Sequence, residues 1–267
     1  MEKEIVELYK EGFSNKELSE RFNMHRMKIQ RILNRNKIPL RGHELTQRKH
    51  FIKKDFLFEN IDSADKAYFL GFSYADGSVF GTSLTISLNE KDRKILEEFS
   101  LLFYDKIKLG FKKSRTSEIR GKLCTSTPQY YLNINCKELI ENLSKHGLIP
   151  NKSFVLRFPK IPEEFIRDFI RGYFDGDGCL SGSNSKYWRS IKICGNFLFC
   201  QDLQNIIQSH IGCNVSLRKD KTIFNACISG NRQVKKFLDW IYEDSNLKLE
   251  RKYIKYLECY GPQDKVI

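Results

Sequence analysis

Over the first forty residues hydrophobic positions recur at helical spacing, with Ile5, Leu8, Tyr9 and Phe13 on one stripe, then Leu18 and Phe22, then Met27, Ile29, Ile32 and Leu33. Gly12 ends the first predicted helix, Ser14 stands three residues before Glu17 as in a capping box, and Asn23 follows the second helix where a turn residue belongs. A third helix is predicted over 25–36, ahead of Pro39. Three short helices with a tight turn between the second and third make a helix-turn-helix. From Leu40 to Lys54 no apolar period is sustained, and this stretch reads as a basic linker.

Past the linker the pattern repeats. Residues 67–77 (AYFLGFSYADG) align without gaps with 168–178 (DFIRGYFDGDG), each an apolar helix that ends in Gly and leads into strand-like alternation. In the first copy 83–88 alternate as a half-buried strand, and a helix follows over 90–103. Residues 106–112 set Lys106, Lys108 and Lys112 on one face and Ile107, Leu109 and Phe111 on the other; 129–135 alternate again, and a helix over 137–146 closes the copy. The second copy runs in the same order, with strands within 181–194, a helix over 196–210, strands near 214–219 and 222–229, and a helix over 232–242. The fold class is α+β: two pseudo-symmetric αββαββα repeats behind a small all-α domain. The expected boundaries are 1–45 for the helix-turn-helix, 46–64 for the linker, and 65–150 and 151–267 for the repeats.

Composition narrows the partners. The 267 residues, 40% hydrophobic, suffice for a small and a larger core, and 46 Lys and Arg against 33 Asp and Glu leave a formal charge of +13 that draws polyanions. Nucleic acid leads, with an anionic membrane second. The third predicted helix carries Arg26, Lys28, Gln30, Arg31, Asn34 and Arg35 away from its apolar stripe, which favours DNA binding over a purely structural cap on the larger domain. No apolar run approaches the ~20 residues of a membrane-spanning helix, and the charged first ten residues lack a signal-peptide core. The expectation is an intracellular protein, in cytoplasm, nucleoid or an organelle matrix, neither secreted nor membrane-bound. The eight cysteines show no CxxC pair and no His at zinc-finger spacing, so they are expected to be reduced, mostly buried small hydrophobes, without zinc.

The repeated helices carry the chemistry. Gly71 and Ala75, like Gly172 and Gly176, lie four apart and share a helix face, so two such helices can approach backbone to backbone. A glycine inside a helix costs about 1 kcal/mol, and a tight seam between the repeats gives it a use. One residue after each pair stands an acid, Asp76 and Asp177, followed by Gly77 and Gly178. If the helices pack in parallel, both carboxylates meet at two helix C-termini, where the macrodipole is negative and like charges cannot both ionise without a cation. That site calls for a hard divalent metal, Mg²⁺ or Mn²⁺, held by Asp76, Asp177 and backbone near Ala75 and Gly176. A single such turn is an ordinary helix C-cap; two in register, with matched small faces, argue for more.

Residues 69–77 (FLGFSYADG) and 170–178 (IRGYFDGDG) resemble the two motif helices of single-chain LAGLIDADG homing endonucleases, and the resemblance extends over roughly 65–260. It implies a saddle of sheets over duplex DNA, metal binding by the penultimate acids, here Asp76 and Asp177, and cleavage of both strands to leave short 3′ overhangs. Tyr74 departs from the motif, which usually has an acid there, kept in the second copy as Asp175; that position is not a metal ligand in the family. The expected activity is site-specific hydrolysis of DNA phosphodiesters by metal-activated water, carried out by a monomer. The polar strand faces are expected to meet DNA through Lys106, Lys108, Lys112, Gln129, Tyr131, Asn133, Ser190, Lys192, Arg218, Lys221 and Asn225, the cations on phosphates and the amides on base edges. Lys152 and Lys252 follow their acids at nearly equal distance. A family lysine near this point sits by the active site, where it orients water or stabilises phosphate charge. Arg26, Lys28, Gln30 and Arg31 would hold a neighbouring major groove. The alternative is a non-cutting descendant, an RNA-splicing maturase or a DNA-binding transcriptional regulator; the intact acids argue against the regulator, whereas a maturase can keep them. An intein is not expected, since the sequence has neither a nucleophilic first residue nor a terminal His-Asn.

Overall fold

The computed structural model describes residues 1–40, 52–119, 122–182 and 188–261, so the core of the expected linker, 41–51, lies outside the described residues. The chain forms two compact units, Met1–Phe51 and Ile52–Ile267.

The small unit holds α1 (Glu2–Lys10), α2 (Asn15–Arg21) and α3 (Arg26–Arg35) around Ile5, Tyr9, Leu18, Ile29, Ile32 and Leu33. Gly12 takes φ +114° as α1 ends, and the bonds Phe13 N–H to Leu8 C=O (2.9 Å) and Gly12 N–H to Tyr9 C=O (3.1 Å) close the helix. The capping box is formed: Ser14 N–H donates to Glu17 Oε2 (2.7 Å) and Glu17 N–H to Ser14 Oγ (3.2 Å). Asn23 makes the turn between α2 and α3 at φ +46°. Met27 is a correction to the apolar stripe: it is 53% exposed, because two residues before Ile29 it lies about 200° around the helix from it.

In the large unit the first repeat runs α4 (Ala64–Asp76), β1 (Gly77–Phe80), β2 (Ser83–Asn89), α5 (Arg93–Phe103), β3 (Gly110–Lys112), β4 (Thr116–Ile119), β5 (Lys122–Thr125), β6 (Gln129–Asn135) and α6 (Lys137–Lys145). The second runs α7 (Ile166–Asp177), β7 (Gly178–Ser181), β8 (Ser190–Gly195), α8 (Phe197–Ile211), β9 (Ser216–Asp220), β10 (Ile223–Ser229), α9 (Asn231–Tyr242) and α10 (Glu250–Tyr260). Each repeat builds a four-stranded antiparallel sheet, in the orders β1-β2-β6-β3 and β7-β8-β10-β9, which are the same order twice. One face of each sheet buries the alternate residues: Leu84, Ile86, Leu132 and Ile134 in the first, Ile191, Ile193, Ala226 and Ile228 in the second. These join the helices in one continuous core. No helix among the described residues is long and apolar enough to cross a membrane.

Three elements differ from the sequence reading. The strand expected over 106–112 is confined to Gly110–Lys112, because Lys108 N–H is taken by Ser100 Oγ of α5 (2.8 Å) and, of the three apolar residues, Leu109 alone packs on the core while Ile107 and Phe111 stay exposed. The hairpin β4–β5 was not expected; its described side chains are exposed, so no apolar period marks it. Helix α10 was also missed, although Tyr253, Tyr256 and Tyr260 recur on its inner face and pack on the core.

Candidate active site at the helix seam

Helices α4 and α7 run side by side in the same direction, and their small residues are where the backbones touch. A Cβ on Gly71 would fall on the Phe169 carbonyl oxygen, one on Gly172 on the Tyr68 carbonyl oxygen, and one on Gly176 on Ala75 Cβ, with Asp76 Oδ2 3.3 Å away. Side chains larger than these would force the helices apart. The close approach brings the two helix C-termini together, and with them Asp76 and Asp177, the last residue of each helix.

Both carboxylates reach solvent on one side and face packed helix ends on the other. Loss of solvation is the first cause pushing the Asp76 carboxyl up, to about 6; the charge of Asp177 adds to it, and Lys252, Lys152 and Arg251 oppose it. Asp177 is also pushed up by desolvation, with Lys252 and Lys152 opposing. Water still reaches both groups and screens these charges, while the two acids remain crowded at one place. This donor set fits a hard divalent cation. Among the described residues no group of three or more His, Cys, Asp or Glu gathers, so such a cation would complete its shell with carbonyl, water or phosphate oxygens.

The two lysines close the other side of the seam. Lys152 begins a short 3₁₀ turn, Lys152–Phe154, after Asn151 at φ +55°, and its Nζ donates to the Gly77 carbonyl, one residue past Asp76. Lys252, near the start of α10, donates to the carbonyls of Phe174 (2.6 Å), Gly176 (3.2 Å) and Gly178 (2.5 Å), the last being one residue past Asp177. Each ammonium therefore sits on the negative end of its motif helix. Burial pushes Lys252 down to about 8, opposed first by Asp175; burial also lowers Lys152, opposed by Asp177 and Asp76. The Gly176 carbonyl, expected to face a metal, is engaged by Lys252 here.

Behind the site lies a polar network that sequence reasoning missed. Asp175 is fully buried; Tyr68 (2.8 Å) and Tyr242 (2.7 Å) donate their hydroxyls to it, and Leu249 donates its N–H (2.8 Å). Burial pushes its carboxyl up, and these three donors with Lys252 oppose the rise. Arg171, also buried, pairs with Asp168 (2.7 Å) and donates to the carbonyls of Ile241 and Leu247 (2.9 Å each). The readable signal was a polar stripe, Asp168, Arg171 and Asp175 at helical spacing, inside a helix whose other inner residues are apolar or small.

The residues expected to meet DNA divide. Lys106, Lys108, Lys112, Asn133, Lys192, Arg218 and Lys221 are exposed, and Gln129 and Tyr131 are half-buried. The Lys108 and Lys112 ammoniums lie 4.0 Å and 5.0 Å from the ring centres of Tyr104 and Tyr131. Ser190 and Asn225 are corrections, at 4% and 6% exposed. Asn225 is on β10 between Cys194 and Arg218, and its side-chain oxygen accepts from the Cys194 thiol (3.1 Å), so neighbours on the same face cover it. On α3, Arg26, Lys28 and Arg31 are exposed and Gln30 is half-buried.

Residues 164–242, which include the motif helix of the second repeat, match the sequence family of the LAGLIDADG-like domain. The solved structure of the homing endonuclease I-WcaI bound to its DNA recognition sequence shares the fold, with a TM-score of 0.54 at 12% identity, over 81% of this chain and 96% of that one. Among curated proteins the chain is similar to two of Methanocaldococcus jannaschii. It is 28% identical to the replication factor C small subunit over 205 residues, 76% of this chain and 10% of that protein. It is 28% identical to the DNA-directed RNA polymerase subunit Rpo1C over 189 residues, 70% of this chain and 20% of that protein. The chain thus spans about a tenth and a fifth of the curated relatives it matches, and the likeness is to a segment of each.

Proposed function

We propose that this chain is a site-specific double-strand DNA endonuclease that hydrolyses phosphodiesters with Mg²⁺ or Mn²⁺ and leaves short 3′ overhangs. The observation that carries the reading is the meeting of Asp76 and Asp177 at the ends of two backbone-packed helices, each end also holding a lysine. Asp76 and Asp177 would hold a divalent cation, which would supply an activated water and charge stabilisation for phosphodiester hydrolysis. Lys152 and Lys252 offer positive charge where charge grows on the phosphate. Because the two repeats of one chain furnish both acids, a monomer completes the site. Duplex DNA as the partner is supported by the formal +13 and by the exposed Lys106, Lys108, Lys112, Lys192, Arg218 and Lys221. The small unit, with Arg26, Lys28 and Arg31 exposed on α3, takes a neighbouring major groove.

The test is incubation of the full chain with Mg²⁺ and a randomised duplex library, followed by sequencing of cut ends. The expected product is cleavage at one long site with a short 3′ overhang. A library selected by binding yet recovered uncut would overturn the nuclease reading and favour a non-cutting binder.

A further inference from the structure

Two residues before each acid the motif helices differ, with Tyr74 in α4 and Asp175 in α7; the Tyr74 ring packs on Phe169 of α7 and Asp175 accepts from Tyr68 of α4, yet each also reaches the segment bearing the lysine that follows it in the chain. The Tyr74 hydroxyl donates to the His146 carbonyl, just past α6 and six residues before Lys152. The loop is shaped for it: a Cβ on Gly147 would fall on the Tyr74 hydroxyl, and Gly147 has φ +90°. In the other repeat Asp175 accepts the N–H of Leu249, the residue just before α10 and three before Lys252. A donor meets a carbonyl in one repeat, and an acceptor meets an N–H in the other. The roles are reversed in polarity but alike in what they hold.

We propose that Tyr74 and Asp175 are positioning residues, each clasping the segment that carries its lysine so that Lys152 and Lys252 reach the carbonyls at the ends of the motif helices. The clasps are unequal. Tyr74 makes one hydrogen bond, whereas Asp175 takes three donors, and Arg171 holds the same stretch through Ile241 and Leu247. Lys252, with three carbonyl partners, is the more tightly placed of the two lysines, and Lys152 has one. Any consequence for DNA cutting rests on the nuclease reading above; the clasp itself does not.

The experiment is trace labelling of lysine amines with acetic anhydride on the full chain without DNA, read residue by residue by peptide mass spectrometry. Asp175→Asn keeps the shape of the side chain and removes its charge, which by itself frees more of the Lys252 amine from its proton. Labelling is therefore run as a pH series, and the limiting rate of the neutral Lys252 amine should rise roughly tenfold, the scale of one charge-assisted hydrogen bond, while that of Lys152 is unchanged. Tyr74→Phe should do the converse, raising Lys152 several-fold and sparing Lys252. Lys66, buried and paired with Asp62 at 2.7 Å, reports general loosening of the unit. If Asp175→Asn raises Lys66 as well, Tyr242→Phe, which removes one donor to Asp175, decides the matter: a rise confined to Lys252 supports the clasp. No rise at the cognate lysine, or an equal rise at both lysines, overturns it. Selective labelling in a chain that cuts no DNA would leave the clasp standing and remove only the nuclease reading.

Discussion

Gly172 has no room for a side chain, because the Tyr68 carbonyl carbon lies 2.9 Å and the Phe72 nitrogen 2.8 Å from where its Cβ would stand. These are backbone atoms of the partner helix, so relief requires α4 and α7 to separate. Gly172→Ala should therefore destabilise the large unit by about 3 kcal/mol, the upper part of the usual range for overpacking, despite alanine's better helix propensity. Both tryptophans, Trp188 and Trp240, belong to that unit, so fluorescence during urea unfolding follows it selectively. A midpoint equal to that of the wild type would mean that the seam is looser than its geometry states. At the same scale, the exchange of an acid for Tyr74 becomes intelligible: the position anchors a loop, and either an acceptor or a donor serves if the loop offers the matching backbone group.

At the scale of elements, the lysines before and within β3 are expected to grip phosphates. Replacing Lys106, Lys108 and Lys112 together by glutamine should lower the slope of log affinity against log salt by about 0.9 for each phosphate left without its cation. An unchanged slope would move the DNA to another face. The motif helices were legible in the sequence because a matched pair of small faces and terminal acids has few other uses. Their strands and the order of elements along the chain were legible for a similar reason, since one alternating pattern appears twice. Other features were not. Alternation over 106–112 tells which residues share a face, but not that Ile107 and Phe111 would find no core to cover them. It likewise puts Asn225 on the outer face of its strand without showing that Cys194 and Arg218 flank it there. The clasp on Lys252 was hidden most deeply, because Asp175 and Leu249 are 74 residues apart and their pairing is decided by the packing of a whole repeat.

At the scale of the whole molecule, two halves of one chain meet at a single chemical centre. Each repeat contributes a sheet, a motif helix and an acid, a lysine follows each acid in the chain, and only the packing of α4 on α7 brings them together. On the proposed function the sheets account for binding and the acids for chemistry, so the two activities should separate by mutation. The direct measurement compares the wild-type chain with Asp76→Asn and Asp177→Asn on the site recovered from the library, with Mg²⁺, scoring DNA affinity and double-strand cleavage side by side. Either substitution should abolish double-strand cutting while affinity stays within a few fold. Full cleavage by either variant would contradict the assignment of the paired acids, and with it the centre on which the proposed function is built.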